Sequence, residues 1–332
     1  MHHPLRLGLI GFGEAGERFA RDLTQAGLKN IVAYSRSGAK AAAGDPLAER
    51  ALEAGARFVK TPRELCKHAD VIIALTSGRA ALATLRSVRA HLKPHHYYID
   101  ANATSAKAME QAAALLKGKA HFIDASLMGA VPLLGSRVPI FVSGEHAGEL
   151  CELLAPYGMN LRAVSPPPGA ASALKLIRSI AFKGLAGVLL ESLEAAHRYG
   201  MLDLVAEDIT GSFAGQSFMV NMKRYVCGTA AHAERRVHEM DDALELLDAL
   251  GASTRMSRAT RGMLKDVVKL GLPAHFNHVE PESMTLVMDA ILEAKNEACN
   301  VRRHRRRAVV CLCPFARVGA NREKRALSGR LA

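Results

Sequence analysis

The distribution of apolar residues divides the chain into two parts with different periodicities. In the first part, short apolar or β-branched runs alternate with longer amphipathic stretches, which is typical of a parallel sheet covered by helices. The predicted strands are 5–10, 31–34, 71–76, 97–100, 121–125 and 140–144. The predicted helices are 15–26, 46–54, 61–66, 80–92 and 105–116. This alternation predicts one doubly wound α/β domain.

The pattern changes at Ser165–Gly169, a segment that contains three consecutive prolines. Because proline continues neither a helix nor a strand ladder, the segment predicts a break in the fold. The following pattern is helical, and residues 170–199 are apolar around most of a helix surface, as expected of a helix buried between domains or subunits. We therefore expect an α/β domain over 1–165, an all-helical substrate and dimerisation domain over 166–295, and a basic tail over 296–332.

The positive charge of the chain is concentrated near its end. Lys and Arg number 44 against 32 Asp and Glu, which gives a net charge of +12. Residues 301–332 hold ten basic residues and one acidic residue, Glu323, so they contribute +9 and leave +3 for the rest. This tail composition predicts disorder or a marginal helix. Since the body shows no combined aromatic and basic surface pattern, we do not expect nucleic acid as a partner.

Composition also argues against several other classes of protein. No stretch reaches the ~20 apolar residues that a membrane span requires. The first apolar run, 5–10, is too short for a signal-peptide core, so we expect a cytoplasmic protein. The six cysteines contain no CxxC pair, and no carboxylate pair at ligand spacing accompanies the site described below, so we expect neither a disulfide framework nor a metal.

A glycine-rich loop follows the first predicted strand and precedes the first predicted helix. Gly11, Gly13 and Gly16 have the G-x-G-x-x-G spacing of a dinucleotide-binding Rossmann fold. In that motif the first glycine makes a tight turn, the second lets the backbone approach a pyrophosphate, and the third lets the helix pack on the strand. The sequence thus predicts an amino-terminal Rossmann domain followed by an all-α carboxy-terminal domain. The predicted cofactor loop is Gly11, Phe12, Gly13, Glu14, Ala15 and Gly16.

The end of the second predicted strand indicates which dinucleotide binds. An acidic residue there binds the ribose hydroxyls of NAD, whereas a cation accommodates the 2′-phosphate of NADP. This chain has Tyr34, Ser35, Arg36 and Ser37 at that place and no acid. We therefore expect NADP, with Arg36 on the phosphate and Ser35 or Ser37 assisting, and we keep NAD as the alternative cofactor. The alternative role for Arg36 is that of a solvated surface residue.

Two further strand ends carry polar residues. Thr76 and Ser77 close the strand over 71–76, and Asn102 follows the strand over 97–100. Because ligands bind at the carboxyl ends of strands in such sheets, we expect these residues at the cofactor site, with Ser77 and Asn102 near the nicotinamide ribose. Asn102 could equally be a helix cap.

Together with the glycine loop, two later segments carry a resemblance to one enzyme family. Residues 124–130 resemble the substrate loop of the β-hydroxyacid dehydrogenases, usually written Asp-Ala-Pro-Val-Ser-Gly-Gly, with Met128 in place of the serine. Residues 169–179 resemble the family's catalytic helix, in which a lysine is followed four residues later by asparagine. Lys175 matches the lysine, and Ser179 replaces the asparagine. With these departures, the chain resembles a branch of the family whose carboxy-terminal helical domain has no assigned function.

The resemblance implies a nicotinamide-dependent dehydrogenase with Lys175 as general acid and base. It also implies that the substrate carboxylate binds to the loop segment Ser126, Leu127, Met128 and Gly129, for which a tight interdomain turn is the alternative. Lys175 lies about two turns into the long helix, where burial and nearby cations would lower the pKa of an ammonium group.

The residues that follow Lys175 on this helix point to an anionic substrate. At about 100° per residue, Arg178, Ser179 and Lys183 fall on the same broad face as Lys175. Arg178 or Lys183 could anchor a carboxylate or phosphate, and Ser179 could hydrogen-bond the reacting oxygen. A helix end in solvent is the alternative.

The leading hypothesis is an NADP-preferring homodimeric oxidoreductase that transfers a hydride between nicotinamide and a small hydroxy or keto acid. An imine reductase on the same scaffold and a non-catalytic dinucleotide sensor are the alternatives. The lysine at 175 counts against the imine reductase, since proteins of that type tend to place another acid at this position.

Overall fold

A computed structural model describes residues 4–42 and 44–311 of the chain. The chain divides into two compact units between Phe182 and Lys183. The first unit is an α/β domain and the second is helical, so the predicted fold class is confirmed.

Within the described residues, the first unit contains an eight-stranded sheet. Its strands are β1 (Arg6–Ile10), β2 (Asn30–Tyr34), β3 (Ala56–Phe58), β4 (Val71–Ala74), β5 (Tyr97–Asp100), β6 (His121–Leu127), β7 (Ile140–Ser143) and β8 (Leu161–Ser165). Their order across the sheet is β3-β2-β1-β4-β5-β6-β7-β8. Strands β3 to β6 in this order are parallel, β7 is antiparallel to β6, and β8 is parallel to β7. The chain order reverses between β1 and β4, where open α/β sheets form a ligand-binding crevice.

Strands β3 and β8 were not predicted from the sequence. They form the two edges of the sheet, where one side of the strand has no neighbour. Each carries an arginine that interrupts the apolar run, Arg57 in β3 and Arg162 in β8, and β3 has only three residues. Edge strands need less burial than central strands, so their apolar pattern is weaker.

Helices cover both faces of this sheet. They are α1 (Glu14–Gln25), α2 (Pro46–Glu53), α3 (Pro62–His68), α4 (Ala81–Arg89), α5 (Ala106–Leu116), α6 (Val131–Leu134) and α7 (Ala147–Leu154). On one face, Phe19 and Leu23 of α1 pack with Leu150 of α7 against the sheet. On the other face, Leu85 of α4 and Met109 of α5 form a second apolar layer. The two layers fix the strand ends that carry the candidate site.

The first unit extends into the next helix, α8 (Ala170–Tyr199). The boundary between the compact units therefore lies beyond residue 165, at which the proline-rich segment predicted it. The reason is local, because Ala171 and Ser172 in the first turn of α8 are buried and hydrogen-bonded to the sheet.

The second unit is helical throughout its described part. After α8 it contains α9 (Leu202–Phe213), α10 (Phe218–Leu250), α11 (Arg255–Lys269), α12 (Leu272–His275) and α13 (Met284–Cys311). Its core joins Cys227, Leu272 and Val287 from α10, α12 and α13. The backbone of α10 leaves helical geometry at His232, with φ −126° and ψ 25°.

Glu191 of α8 binds the amino-terminal turn of α11. Its carboxylate accepts hydrogen bonds from the backbone N–H groups of Met256 (2.9 Å) and Ser257 (2.7 Å) and from the Ser253 hydroxyl (2.8 Å). Burial raises the pKa of this carboxyl, but the hydrogen bonds outweigh burial and lower it to about 2. Glu191 thus supplies the cap that α11 lacks locally, since Thr254 makes no side-chain cap bond.

The predicted basic tail begins inside a helix. Residues 296–311 lie within α13, so this part of the predicted tail forms a helix, which was the alternative to disorder. Arginine, the commonest residue in this stretch, is a good helix former. Residues 312–332 of the predicted tail lie outside the described residues.

Candidate active site

The three glycines of the cofactor loop have three different surroundings. Gly11 has φ +95°, and a Cβ there would overlap the carbonyl oxygen of Leu75. A Cβ at Gly16 would overlap the carbonyl oxygen of Gly11, so α1 packs directly on the turn. A Cβ at Gly13 would meet no atom within 4 Å. Gly11 and Gly16 are therefore required by the fold, whereas Gly13 borders open space at the amino terminus of α1.

That open space fits a dinucleotide pyrophosphate. Gly13 is the residue before α1, and the first N–H groups of a helix attract anions. The neighbouring loop residues differ in exposure: Phe12 is buried and packs edge-on against Phe58 at 5.2 Å, Glu14 is exposed, and Ala15 is half-buried. Phe12 thus supports the loop from beneath.

A cavity of about 540 Å³ lies beside the loop at the carboxyl ends of β1, β2 and β4. It brings together five of the residues predicted to bind the cofactor: Gly11, Ser35, Arg36, Thr76 and Ser77. Sequence reasoning missed the wall formed by α4 and the residue before it, which contributes Ala80, Ala83, Thr84 and Ser87. Thr84 is a polar residue in the first turn of a helix that follows a strand end, and this position was a usable signal, whereas Ser87 lies one turn further along.

The segment after β2 presents a cation to this cavity. Arg36 is exposed, and among the described residues it pairs with no carboxylate. The Ser35 hydroxyl accepts a hydrogen bond from the Gly38 N–H at 2.9 Å and lies 3.3 Å from the Ser37 hydroxyl. The turn is therefore held by Ser35, which leaves Arg36 facing outward.

Asn102 is held by hydrogen bonds to two neighbouring strand ends. Its Oδ1 accepts from the Thr76 N–H (2.6 Å) and the Thr76 hydroxyl (3.0 Å), and its own N–H and Nδ2 donate to Asp100 Oδ1 (3.1 and 2.6 Å). The helix-cap alternative is wrong, because Ser105 caps α5. Asn102 is buried and joins the ends of β4 and β5.

Asp100 and Asp124 form a buried acidic pair that the sequence analysis did not predict as part of the site. They are register partners on β5 and β6, and both side chains are fully buried. Burial raises the pKa of Asp100 to about 6 against the opposing effect of the Asn102 hydrogen bonds, and the charge of Asp124 adds to the rise. Asp100 Oδ2 has no hydrogen-bond partner within the described part of the chain.

Asp124 is fully hydrogen-bonded to its neighbours. Its Oδ2 accepts from the Ser172 N–H (2.9 Å) and the Ser143 hydroxyl (3.0 Å), and its Oδ1 accepts from the Ser172 hydroxyl (2.7 Å). The Ser143 hydroxyl also accepts from the Ala171 N–H at 3.1 Å. The first turn of α8 is thus bound to the sheet through one carboxylate and one serine.

The predicted substrate segment lies at the end of β6. Ser126 and Leu127 belong to the strand itself, and Ser126 is buried. The Met128 N–H donates to the Pro139 carbonyl at 2.8 Å, and Gly129 is exposed. The alternative of a tight turn therefore does not apply to Ser126 and Leu127.

The predicted catalytic face of α8 is partly accessible. Lys175 and Ser179 are half-buried, and Arg178 is exposed with its guanidinium 4.4 Å from the ring centre of Phe182. Lys183 begins the second unit and is exposed. Among the described side chains, no group of three or more His, Cys, Asp or Glu is arranged to hold a metal ion.

Known proteins resemble the chain in both of its parts. The family model described as the NAD binding domain of 6-phosphogluconate dehydrogenase matches residues 6–155, and the domain of unknown function DUF1932 matches 196–267. A conserved hypothetical protein from Sinorhizobium meliloti 1021 is 33% identical, with a TM-score of 0.57 over 79% of this chain and 88% of that chain. The conserved protein MTH1747, whose structure is described as similar to 3-hydroxyacid dehydrogenases, is 28% identical, with a TM-score of 0.54 over 88% and 97%. The chain belongs to the β-hydroxyacid dehydrogenase superfamily.

Within this superfamily, the chain lies in the branch that carries the DUF1932 domain, and it is a nicotinamide-dinucleotide-dependent oxidoreductase. An imine reductase from Myxococcus stipitatus, solved with NADP⁺, shares the fold at 18% identity, with a TM-score of 0.66 over 81% of this chain and 96% of that chain. In the part of the present chain that the structure describes, no helix is long and apolar enough to cross a membrane.

Proposed function

We propose that the protein is an NADP-preferring enzyme that interconverts a small hydroxy acid and its keto acid. The observation that carries this proposal is the cavity beside Gly11, which has Arg36 on its wall and no acidic residue among those that line it. An acid at the end of β2 would bind the ribose hydroxyls of NAD, whereas a guanidinium forms bidentate hydrogen bonds with a phosphate.

The cofactor would lie along the carboxyl edge of the sheet. Gly13 and the first turn of α1 would hold the pyrophosphate, and Arg36 with Ser35 or Ser37 would hold the 2′-phosphate. Thr76, Ser77 and Asn102 would stand nearer the nicotinamide. The bound cofactor supplies the hydride acceptor for oxidation and the hydride donor for reduction.

Lys175 would move the proton that accompanies this hydride. In oxidation the substrate C–H bond breaks with its electron pair, and neutral Lys175 takes the hydroxyl proton on Nζ as the C=O bond forms. In reduction Lys175 returns that proton to the oxygen. Ser179, one turn further along α8, would hydrogen-bond the same oxygen.

The substrate would be an anion. Arg178 and Lys183 provide positive charge, and the segment Ser126, Leu127, Met128 and Gly129 would hold the carboxylate. Since Met128 and Ser179 depart from the family pattern, the substrate is expected to differ from 3-hydroxyisobutyrate and 6-phosphogluconate.

A panel of 2-keto and 3-keto acids, with cyclic imines included, tests this function by the loss of NADPH absorbance. We expect turnover of at least one keto acid, and we expect Lys175→Ala to lose about 100-fold or more in kcat, the usual contribution of a general acid. Lys119→Ala, an exposed lysine in the first unit, is the matched control and should retain the wild-type rate.

Three results would contradict the proposal. Unaltered keto-acid reduction by Lys175→Ala with intact NADPH binding would remove Lys175 from the mechanism. Turnover of imines alone would favour the imine reductase alternative. NADPH binding with no turnover of any compound would favour a sensor.

We also propose that the protein works as a homodimer. Many large apolar side chains of the second unit are exposed, which is uncommon for the surface of a soluble monomer. They include Leu185, Leu190, Tyr199, Leu204, Phe218 and Met219. Light scattering after size exclusion should give about twice the 35.6 kDa chain mass, and a monomer at assay concentration would refute this proposal.

A further inference from the structure

The first turn of α8 is held by a carboxylate from a distant strand. Two of its early N–H groups, those of Ala171 and Ser172, are bound by the Ser143 hydroxyl and by Asp124. Other helices of the same unit are capped by the residue next to them, as Asp45 caps α2 through the Leu47 N–H at 2.8 Å. A local cap satisfies a helix end without burying a charge, so the use of Asp124 calls for a further reason.

Burial makes this arrangement costly. Asp124 is fully buried and lies beside a second buried carboxyl, that of Asp100. Taking a carboxylate out of water is unfavourable, and its hydrogen bonds and the positive end of a helix offset this cost only when their geometry is favourable. Unlike a local cap, the hydrogen bonds from Asp124 also fix the position of the first turn of α8 relative to the sheet.

The same acidic pair connects α8 to the cavity wall. Asp100 accepts two hydrogen bonds from Asn102, and Asn102 accepts two from Thr76, which lines the cavity beside the glycine loop. Hydrogen bonds thus run from Thr76 to Asp100 on β5 and from Asp124 on β6 to Ser172, and the two carboxyls are neighbours in register between them. Lys175 lies three residues after Ser172, on the same side of the helix.

We propose that Asp124 is a positioning residue, which holds the first turn of α8 and so places Lys175 relative to the carboxyl edge of the sheet. This inference rests on the proposed role of Lys175. Displacements of about 1 Å at a reacting group can reduce a rate by about 100-fold, so the placement of this turn matters for catalysis.

Asp124→Asn and Ser172→Ala in the full-length protein test the proposal. Asn keeps an acceptor oxygen, and Ser172→Ala removes one hydrogen bond, so both variants should fold. Asp45→Asn is the matched control, because it alters an aspartate that caps a different helix, α2, through the Leu47 N–H. Three quantities are measured: amide hydrogen exchange over 170–176, the pH profile of Lys175 acetylation by acetic anhydride, and the Kd for NADPH.

We expect exchange over 170–176 to rise about tenfold or more in both variants, which corresponds to about 1.4 kcal/mol of local opening. The pH profile of Lys175 acetylation should shift, while the Kd for NADPH stays within about threefold. The kcat for the keto acid that the wild type reduces should fall about 10- to 100-fold with little change in the KM for NADPH. The Asp45→Asn control should change none of these quantities.

The proposal is overturned if both variants keep the wild-type exchange and the wild-type Lys175 profile, or if exchange rises while kcat and the Lys175 profile stay unchanged. Failure of the proposed function is recognised separately. It appears as Lys175→Ala retaining the wild-type rate, a result that does not depend on Asp124.

Discussion

The substitution Gly13→Ala should separate folding from cofactor binding in this protein. The backbone at Gly13 has φ −89° and ψ −162°, which alanine adopts without strain, and a Cβ there meets no atom within 4 Å. Alanine is a poorer residue than glycine at a helix start, but it lowers the entropy of the unfolded chain by about 0.4–1 kcal/mol. These effects oppose each other, so the free energy of unfolding should change by less than about 1 kcal/mol.

Binding of NADPH should respond much more strongly. The new methyl group would occupy the open space through which the N–H groups of α1 reach a pyrophosphate. We expect the Kd for NADPH to rise at least tenfold, which is about 1.4 kcal/mol. Quenching of NADPH fluorescence gives the Kd, and urea unfolding without cofactor gives the stability.

Gly16→Ala is the matched control with the opposite outcome. Its Cβ would overlap the carbonyl oxygen of Gly11, a backbone atom that cannot move aside, so stability should fall by about 1–3 kcal/mol. The reasoning is refuted if Gly13→Ala folds and binds NADPH within twofold of the wild type. It is also refuted if Gly13→Ala loses as much stability as Gly16→Ala.

Three further predictions follow from single side chains. Arg36→Ser should raise the Kd for NADPH about 10- to 100-fold and leave the Kd for NADH within about threefold. The same fluorescence quenching measures both constants, and an equal loss of affinity for both cofactors would place Arg36 away from the 2′-phosphate. The pKa of Asp100 is raised from 3.8 to about 6, so the folded state holds its proton more tightly, and the free energy of unfolding should fall by about 3 kcal/mol as pH rises from about 4 to 6. Asp100→Asn should lack this decrease in urea unfolding at several pH values, and parallel curves for the two proteins would contradict the assignment. Glu191→Gln should lower stability at pH 7 by about 2 kcal/mol, whereas Glu194→Gln, which removes only an ion pair with Arg198 on the same helix, should change it by less than about 1 kcal/mol. Because the pKa of Glu191 is lowered from 4.5 to about 2, its contribution to stability is present above about pH 4.5 and is lost as pH falls toward 2. Equal effects of the two variants at pH 7 would refute the capping role.

The sequence predicted the central part of the fold because central strands bury both faces. The apolar runs that became β1, β4 and β5 are strong signals for this reason. The edge strands β3 and β8 gave weak signals, since one side of each lacks a neighbour. The extension of α13 to Cys311 was predicted only as the alternative to disorder, because charge argues for disorder whereas arginine is also a good helix former.

The candidate site was predictable where it follows strand ends. A rule about carboxyl ends in parallel sheets was enough to group Gly11, Arg36 and Thr76 before any coordinates were known. The acidic pair was not predictable in this way, because it depends on β5 and β6 being neighbours in register. The bond between Asp124 and Ser172 joins residues 48 positions apart, and sequence periodicity carries no information about it.

The hydrogen bonds that join Thr76, Asn102 and Asp100 have a consequence for engineering the cofactor specificity of this enzyme. Residues Ser35, Arg36 and Ser37 lie on a turn held by its own hydrogen bonds, so substitutions at Arg36 should alter cofactor choice without disturbing catalysis. Thr76 lines this cavity and is hydrogen-bonded to Asn102, which in turn bonds Asp100, the register neighbour of Asp124. We therefore expect changes at Thr76 and Asn102 to disturb the buried carboxyls as well, and a library for cofactor switching should vary the first group and keep these two fixed.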